Sequence, residues 1–475
     1  MFVSKLKSKY DAIIIGSGFG ALFALESYRK RFPKATVAII ERGDYKSRDW
    51  QIKNDKNYEI DPSHFHKVRD GEKPWIYTIG FGGGLNCWWA QTPRFHPSDF
   101  RTFSLYGRAV DWPIDYGELE PFYVDAENRM GIAGDMSIDK VLPRSARFPQ
   151  PPHKLTSIDE IMRAAQPDLH FPISTARSST GDDKRSKCCS SAKCNLCPVN
   201  AKFTTDNGFS YLIADPLVEI LLNSEVRAID HLNGVARSVQ YLQDGLPKVV
   251  EGELIILGAN AIQSSAILLR SGIDDYWVGR GLHEQHSVVY EVLLDGLDNF
   301  DGGTVTTALN YSLYDGDFRA SHAGALLYFE NRWSFGLRPE IGKWRKTLPI
   351  WASIEDVPSP ENRVVLENDE PLIIHPSVSE YALDGAKFVS KNLGSVLSPL
   401  PVEKIIERGV MSTAAHLQGT LRMGESIDDS VVDKGLLHHR IRNLMVVGTG
   451  AIPTSSCANP SLTAAALSIY AVSKL

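Results

Sequence analysis

The segment that decides the fold runs from Tyr10 to Arg42 and begins Tyr-Asp-Ala-Ile-Ile-Ile-Gly-Ser-Gly-Phe-Gly-Ala. Residues 12–15 are apolar and mostly β-branched, which is typical of a strand buried on both faces of a parallel sheet. A helix is predicted over residues 19–31 and a second strand over residues 36–40. The segment therefore predicts a strand-helix-strand unit of the kind that binds a dinucleotide.

The turn between the first strand and the helix contains the residues expected to hold the pyrophosphate of such a ligand. Gly16, Gly18 and Gly20 allow the backbone to bend sharply and to approach the phosphates, while the helix that begins at Phe19 points its N-terminal amides at them. Glu41 ends the second strand, 21 residues after Gly20 (41 − 20), where an acid accepts hydrogen bonds from an adenosine ribose. A dinucleotide site is thus predicted, the alternative being an ordinary tight turn.

Composition and charge limit the functions open to the chain. Its 475 residues are 43% hydrophobic and 23% charged, which is ordinary for a globular protein of two or three domains. The formal net charge of −6 gives no basic field, so nucleic acid is not an expected partner, and no apolar run reaches the length of a membrane span. Met1–Lys7 lacks the apolar core of a signal peptide, so we expect a cytoplasmic protein unless a signal-bearing partner exports it.

A second glycine-rich segment covers residues 79–90, where three consecutive glycines, Gly82–Gly84, precede Trp88 and Trp89. Such a backbone can lie directly against a flat ligand, and the indoles can exclude water from it. The alternative is a glycine-rich turn followed by aromatic residues of the core.

Further pieces of a buried parallel sheet occur in the middle and at the end of the chain. Residues 254–257 form an apolar run that ends at Gly258, and residues 444–447 form another that ends at Gly448. This order predicts one discontinuous nucleotide-binding domain into which a second domain is inserted. Within that second domain, residues 288–399 contain alternating segments typical of antiparallel strands with one face in water.

At this point the chain resembles the glucose-methanol-choline (GMC) oxidoreductases, a family of flavoproteins. The motifs that carry the resemblance are Gly258–Gly272, Val278–Leu282, His416–Gly424 and Ala458–Thr463. The resemblance implies bound FAD, oxidation of an alcohol carbon, and an α/β fold in which a discontinuous Rossmann-like FAD-binding domain holds an inserted α+β substrate domain built on an antiparallel sheet.

The resemblance also gives the expected domain boundaries and cofactor contacts. We expect the FAD-binding domain at residues 1–100, 191–287 and 405–475, and the cover and substrate domain at residues 101–190 and 288–404. The expected contacts to FAD are Gly16, Gly18, Phe19, Gly20, Glu41, Gly83, Gly84, Asn86, Cys87, Trp88, Val226, Gly258, Ala259, Gly448, Asn459 and Pro460.

Two residues near the C-terminus are the predicted catalytic pair. Removing hydride from an alcohol carbon requires a base for the hydroxyl proton, and a neutral imidazole serves near neutral pH. The family motif assigns that role to His416 and places Asn459 beside it, holding the substrate oxygen. An alternative for Asn459 is a purely structural N-cap, with Pro460 as the first residue of the helix.

Four of the six cysteines lie between residues 188 and 197, a pattern unlike a secreted disulfide framework. The spacing of Cys188, Cys189 and Cys194 resembles that of the cluster-binding cysteines in the iron-sulfur branch of the family, the bacterial FAD-dependent glucose dehydrogenases, and Cys197 resembles the segment that follows. An iron-sulfur cluster would pass electrons to an outside acceptor. A structural zinc, a disulfide or plain thiols are the alternatives.

The sequence thus predicts an FAD-dependent dehydrogenase of a small polar alcohol such as a sugar, aminosugar or polyol, with an electron-acceptor protein as a candidate partner. The alternatives are an oxidase that produces hydrogen peroxide and a non-catalytic flavin subunit that relays electrons. A covalent thioether from Cys87 to the flavin is a further alternative to a simple buried thiol at that position.

Overall fold

The computed structural model of the protein describes residues 7–69, 73–332 and 341–475. Residues 1–6, and with them most of the segment on which the signal-peptide expectation rests, lie outside the described residues. Among the helices of the described ranges, none is both long enough and apolar enough to cross a bilayer.

The described residues form sixteen strands and ten α-helices. The strands are β1 (Lys9–Ile15), β2 (Val37–Ile40), β3 (Lys67–Arg69), β4 (His170–Pro172), β5 (Val218–Leu221), β6 (Ser224–Leu232), β7 (Val235–Gln243), β8 (Leu246–Leu257), β9 (His286–Leu294), β10 (Thr306–Asn310), β11 (Ala325–Glu330), β12 (Thr347–Ile354), β13 (Arg363–Glu367), β14 (Glu370–Ile374), β15 (Val402–Val410) and β16 (Leu444–Val446). The helices are α1 (Phe19–Arg31), α2 (Arg48–Asn54), α3 (Gly84–Cys87), α4 (Thr102–Tyr106), α5 (Tyr116–Met130), α6 (Ser157–Ala165), α7 (Thr205–Ile213), α8 (Asn260–Arg270), α9 (Glu380–Val396) and α10 (Ser461–Ser473).

The first sheet is the predicted nucleotide-binding sheet, with strands in the order β5-β2-β1-β8-β7-β6 and β16 beside β8. β1 pairs in parallel with β2 and with β8, and β16 is also parallel to β8. Ile13 and Ile14 of β1 are fully buried, as expected for a strand covered on both faces. Because these strands come from three separate parts of the chain, the predicted discontinuous Rossmann-like domain is confirmed, while its residue boundaries stay a prediction.

α1 has the predicted bounds because Gly18 enters it in an extended conformation and the apolar stretch that follows packs against the sheet and α10. Its first turn touches the loop after β16. A methyl group on Gly20 would lie 2.4 Å from the main-chain nitrogen of Gly448. Only glycine therefore permits this approach between the two ends of the chain.

The second sheet has the strand order β15-β9-β12-β11-β10-β4, and its pairs are antiparallel. This confirms the antiparallel sheet predicted for the substrate domain, although β4 and all of β15 come from outside residues 288–399. A small third sheet, β13-β14-β3, lies apart from it.

The expectation that this second sheet keeps one face in water is wrong. Every residue of β9, β10 and β11 is buried. Leu327 and Phe329 belong to a core that includes α9, whereas Leu326 and Tyr328 point the other way into the core shared with the nucleotide-binding domain. The sheet is therefore a middle layer, and its second face borders the place where the cofactor is expected.

Candidate active site

The carboxyl ends of the parallel strands meet at one edge of the nucleotide-binding sheet. Gly16 follows β1, Glu41 follows β2, Gly258 follows β8 and Gly448 lies just after β16. A methyl group on Gly16 would lie 2.7 Å from the carbonyl oxygen of Gly258, so the turns after β1 and β8 touch. Sheets of this kind bind their ligands at this edge.

Open space beside the start of α1 fits the phosphates of a dinucleotide. A methyl group on Gly18, Gly84 or Gly448 would have no protein atom within 4 Å apart from its own neighbours in the chain. At Gly83 it would lie 3.3 Å from the α-carbon of Gly18, so the second glycine segment borders the same space. Since the amides of α1 point to this side, the glycines present fit FAD.

Phe19 and Trp88 form an aromatic wall at this edge. Their ring centroids are 4.6 Å apart and the planes meet at 77°. The Trp88 indole Nε1 donates to the carbonyl oxygen of Phe203 at 2.9 Å, which fixes the ring. These two predicted contact residues are thus brought together, one from each glycine-rich segment.

The Glu41 carboxylate lies beside the glycine turn. Its Oε2 accepts from the Ser17 hydroxyl at 2.6 Å, and its Oε1 accepts from the Gly43 amide at 2.9 Å. Burial raises the pKa of this carboxyl. Each oxygen keeps a second lone pair that can accept from a ribose hydroxyl.

Asn86 is fully engaged within the protein. Its Nδ2 donates to the Tyr58 hydroxyl at 2.6 Å and to the Phe81 carbonyl oxygen at 3.0 Å, and its Oδ1 accepts from the Thr205 amide at 3.2 Å. The side chain of this predicted contact residue therefore shapes the glycine loop.

The remaining predicted contact residues lie around the same edge. The Cys87 sulfur is 3.2 Å from the Thr78 hydroxyl. Val226 is buried in β6, Ala259 immediately precedes α8, and Pro460 is the N-cap of α10.

His416 presents a half-buried imidazole whose surroundings are mostly neutral. Its Nδ1 is 3.0 Å from the Gln285 side-chain oxygen, and its main-chain amide donates to the Glu284 carboxylate at 3.1 Å. Burial lowers the pKa of His416 to about 4, against a smaller opposing effect of Glu284. The ring is therefore neutral at pH 7 and has a lone pair that can accept a proton.

Asn459 belongs to a hydrogen-bonded chain that joins the substrate sheet to the segment after the second glycine loop. The Tyr328 hydroxyl donates to its Oδ1 at 2.6 Å, and its Nδ2 donates to the Gln91 side-chain oxygen at 2.9 Å. The Gln91 Nε2 in turn donates to the Thr306 hydroxyl at 2.7 Å. Because Nδ2 carries two hydrogens, one remains for a substrate oxygen.

The interpretation of Asn459 as the N-cap of the last helix is wrong. α10 begins at Ser461, and Pro460, not Asn459, is its N-cap. The Asn459 side-chain oxygen accepts from a tyrosine of another domain, where a capping residue would accept from the first turn of its own helix.

The four clustered cysteines are free thiols in different environments. Cys194 is buried, Cys189 is exposed, and Cys188 and Cys197 are intermediate. Burial raises the pKa of Cys194, whose sulfur is 3.7 Å from the Arg177 guanidinium. Within residues 7–69, 73–332 and 341–475, no three His, Cys, Asp or Glu side chains are arranged to hold a metal ion. The thiols as placed therefore do not fit an iron-sulfur cluster or a zinc ion.

Lys202, which sequence reasoning missed, joins the cysteine segment to the second glycine loop. Its ammonium is 1% exposed and donates to the carbonyl oxygens of Asn86 at 2.8 Å, Trp88 at 3.0 Å and Asn195 at 3.3 Å. The first two of these carbonyls flank Cys87. Burial lowers the pKa of Lys202 to about 8, and no carboxylate in the described part of the chain forms an ion pair with it.

Replacing Lys202 with Met should loosen this junction. The Trp88 carbonyl oxygen would lose its donor, and one buried acceptor without a partner costs about 1–3 kcal/mol of the free energy of unfolding. We expect a lower midpoint in urea and faster loss of FAD. Lys193→Met, in the same segment but with a 68% exposed side chain, is the matched control. Equal behaviour of the two variants would contradict the role given to Lys202.

Comparisons with known proteins agree with this geometry. Residues 386–468 match the family model described as GMC oxidoreductase. The chain is 27% identical to the fructose dehydrogenase large subunit of Gluconobacter japonicus, over 97% of this chain and 96% of that protein. It is 28% identical to the 6'''-hydroxyparomomycin C oxidase of Streptomyces lividus, over 83% and 79%. The crystal structure of pyridoxine 4-oxidase from Mesorbium loti shares the fold with a TM-score of 0.66 at 18% identity, covering 98% of both chains.

The fold, the cofactor edge and these matches define a flavoprotein oxidoreductase, which confirms the resemblance recognised in the sequence. The chain is similar to GMC oxidoreductases in residues 386–468 and to named sugar and alcohol oxidoreductases along most of its length, and the glycines at its cofactor edge fit FAD.

Several residues of the site were not predicted from the sequence. Glu284 and Gln285 come two and three residues after the motif Val278–Leu282, so their position near a functional motif was a usable signal. Tyr328 and Gln91 carried no such signal, because each reaches Asn459 through a contact between distant parts of the chain.

Proposed function

We propose that this protein is an FAD-dependent dehydrogenase that oxidises the CH–OH group of a sugar or a similar polyhydroxy compound. The observation that carries the proposal is the neutral imidazole of His416, tethered through Gln285 to the main chain immediately before Asn459. This arrangement supplies a base and a hydrogen-bond donor for one alcohol group. FAD, when bound, supplies the hydride acceptor.

In this proposal His416 accepts the proton of the substrate hydroxyl group, and Asn459 holds the oxygen of that group. The free Nδ2 hydrogen of Asn459 donates to that oxygen, and the bonds to Tyr328 and Gln91 keep the amide from turning over. A donor fixed in advance stabilises the negative charge that develops on the oxygen as the proton departs.

A polyhydroxy substrate is supported by the wall opposite Asn459. Trp351 on β12 pairs directly with Tyr328 on β11, so the two side chains share the face that borders Asn459. The Trp351 indole nitrogen is buried and has no hydrogen-bond partner among the residues that the structure describes. The Arg332 guanidinium lies 5.0 Å from the Trp89 ring centroid and 5.6 Å from that of Trp351. An aromatic platform with spare donors suits a sugar ring. The relatives named for fructose and for a hydroxyparomomycin also favour a sugar or aminosugar.

An electron acceptor other than oxygen is supported by the similarity to the fructose dehydrogenase large subunit, which extends over 97% of this chain. The cysteine segment, tied to the glycine loop by Lys202, is the proposed side of electron exit. The iron-sulfur cluster predicted at Cys188, Cys189 and Cys194 does not fit the thiols as placed and is no part of the proposal. Iron and acid-labile sulfide analysis of the purified protein tests it.

The test is anaerobic mixing of the FAD-loaded protein with fructose, an aminosugar and a polyol while the visible flavin absorbance is followed. Bleaching by one of them supports the proposal, and the rate of re-oxidation by oxygen against a quinone dye separates dehydrogenase from oxidase. An enzyme that no CH–OH compound reduces, although dithionite does, would overturn the proposal in favour of an electron relay.

The pH dependence of flavin reduction should follow His416. Its neutral form accepts the proton, and because burial lowers its pKa to about 4, that form is lost only as the pH falls through about 4. We expect the acid limb of kcat/KM near pH 4, well below the value of about 6.5 for an ordinary histidine. Rapid-mixing rates across the acid range measure it. An acid limb between about pH 6 and 7 would mean that the base is solvated or is another group.

A further inference from the structure

Gln285 is the residue that orients the His416 ring. It immediately precedes β9 and is 3% exposed. Its Nε2 donates to two main-chain carbonyl oxygens, those of Ser456 and Ala458, each at 2.9 Å. Its Oε1 is 3.0 Å from Nδ1 of His416. One amide thus connects the imidazole to the chain that leads into Asn459.

These contacts determine which way the amide faces. A carbonyl oxygen can only accept hydrogen bonds, so the group that faces the Ser456 and Ala458 carbonyls must be the NH₂ of Gln285. The reversed amide would place its oxygen against two other oxygens and leave it without a donor. The side-chain oxygen of Gln285 must therefore face His416.

The orientation of the amide in turn determines the tautomer of the imidazole. Because the Gln285 oxygen only accepts, Nδ1 of His416 must carry the hydrogen of this bond. A neutral imidazole carries one N–H, so Nε2 is then the nitrogen with the free lone pair. The Gln285 oxygen also accepts a second hydrogen bond, from Nε2 of Gln418 at 3.4 Å.

We propose that Gln285 is a positioning residue that fixes His416 in the Nδ1–H tautomer and so presents Nε2 as the proton acceptor. This rests on the proposed function, in which His416 is the base. The amide does for His416 what a carboxylate does in many enzymes, but without its charge.

The lack of charge on this partner matters for the pH range of the reaction. The acid beside His416 is Glu284, which accepts from the main-chain amide and from the Thr413 hydroxyl and is paired with Lys73. The ring itself therefore faces a neutral amide, and among the described residues only the compensated charge of Glu284 opposes the lowering of its pKa by desolvation. This arrangement keeps the base unprotonated in acid solution.

The decisive substitution is Gln285→Glu, which preserves the size of the side chain and an acceptor for Nδ1 and adds a negative charge, while it removes the donor to the Ser456 and Ala458 carbonyl oxygens. An opposite charge at this distance raises the pKa of an imidazolium by about 1–3 pH units. We expect the acid limb of flavin reduction to move up by that amount. Gln285→Leu, which removes the acceptor, should leave the limb in place and lower kcat by roughly 10-fold or more, because part of the population then carries its hydrogen on Nε2.

Gln166→Glu is the matched control. The Gln166 amide likewise donates to a main-chain carbonyl, that of Val396 at 2.8 Å, and accepts from Asn310, but it lies in the substrate domain between α6 and α9. This variant should keep the wild-type pH profile. A profile that stays unchanged in Gln285→Glu, or that moves equally in Gln166→Glu, would overturn the proposal.

A direct readout needs no variant to fold and no turnover. ¹⁵N NMR of FAD-loaded wild-type protein labelled at histidine should find Nδ1 of His416 protonated and Nε2 unprotonated, with the signal assigned by its absence in His416→Ala. A protonated Nε2 would overturn the assignment to Gln285. Retention of turnover by His416→Ala would instead overturn the proposed function and leave the tautomer result standing, so the two failures are distinguishable.

Discussion

His416→Ala is expected to lower the rate of flavin reduction by about 10²- to 10⁴-fold, the range that a positioned general base contributes. The ring makes a single side-chain hydrogen bond in the described structure, to Gln285, so its loss should change the free energy of unfolding little and leave FAD bound. Rapid anaerobic mixing with the best substrate gives the rate, and the absorbance spectrum gives the FAD content.

The matched control is His64→Ala, at an exposed histidine of the surface segment that precedes β3. It should keep the wild-type rate. Added imidazole should restore part of the rate in His416→Ala, because removal of the ring leaves room for a small base beside Gln285. Wild-type turnover by His416→Ala with FAD bound would exclude His416 as the base.

The second large effect is expected from the glycine turn, where two neighbouring glycines should fail in different ways. At Gly20 an added methyl group would lie 2.4 Å from the Gly448 nitrogen and 2.7 Å from its α-carbon. Backbone cannot move aside as a flexible side chain can, so Gly20→Ala should lower the free energy of unfolding by about 1–3 kcal/mol or more and release FAD.

At Gly18 the same substitution meets no protein atom within 4 Å. Gly18→Ala should therefore keep the unfolding midpoint of the FAD-free protein and weaken only the affinity for FAD, since the methyl group occupies the space assigned to the phosphates. Thermal unfolding and fluorescence titration with FAD measure the two properties separately. Wild-type affinity in Gly18→Ala would place the cofactor elsewhere.

Much of the fold could be predicted because burial leaves a periodic pattern in the sequence. The bounds of α1 agree with the prediction, and the apolar runs before Gly258 and Gly448 end strands of one sheet. The wet face expected for the substrate sheet was wrong for a physical reason. Alternating residue types along a strand indicate that the two faces of the sheet carry different side chains. They do not indicate that a second domain covers the face on which Tyr328 lies.

The candidate site divides in the same way. His416 and Asn459 were predicted because a motif surrounds each of them, and Gln285 connects the His416 ring to the carbonyl immediately before Asn459. Gln285 and Lys202 act through main-chain carbonyls of distant segments, and a carbonyl leaves no trace in the residue types. For the four clustered cysteines the sequence was misleading. Their spacing resembles that of cluster ligands, yet among the described residues their thiols are not arranged to hold a metal.

The chain of bonds from Tyr328 through Asn459 and Gln91 to Thr306 has a consequence for protein engineering. The Tyr328 hydroxyl donates to the Asn459 amide, which in the proposed function receives the reacting oxygen, so a library that varies Tyr328 to widen the substrate range is expected to lose rate along with selectivity. Trp351 pairs directly with Tyr328 and its indole nitrogen has no hydrogen-bond partner within the described ranges, so changes there are expected to leave that amide in place. Selections for variants that oxidise new substrates should therefore begin at residue 351 and keep residue 328 constant.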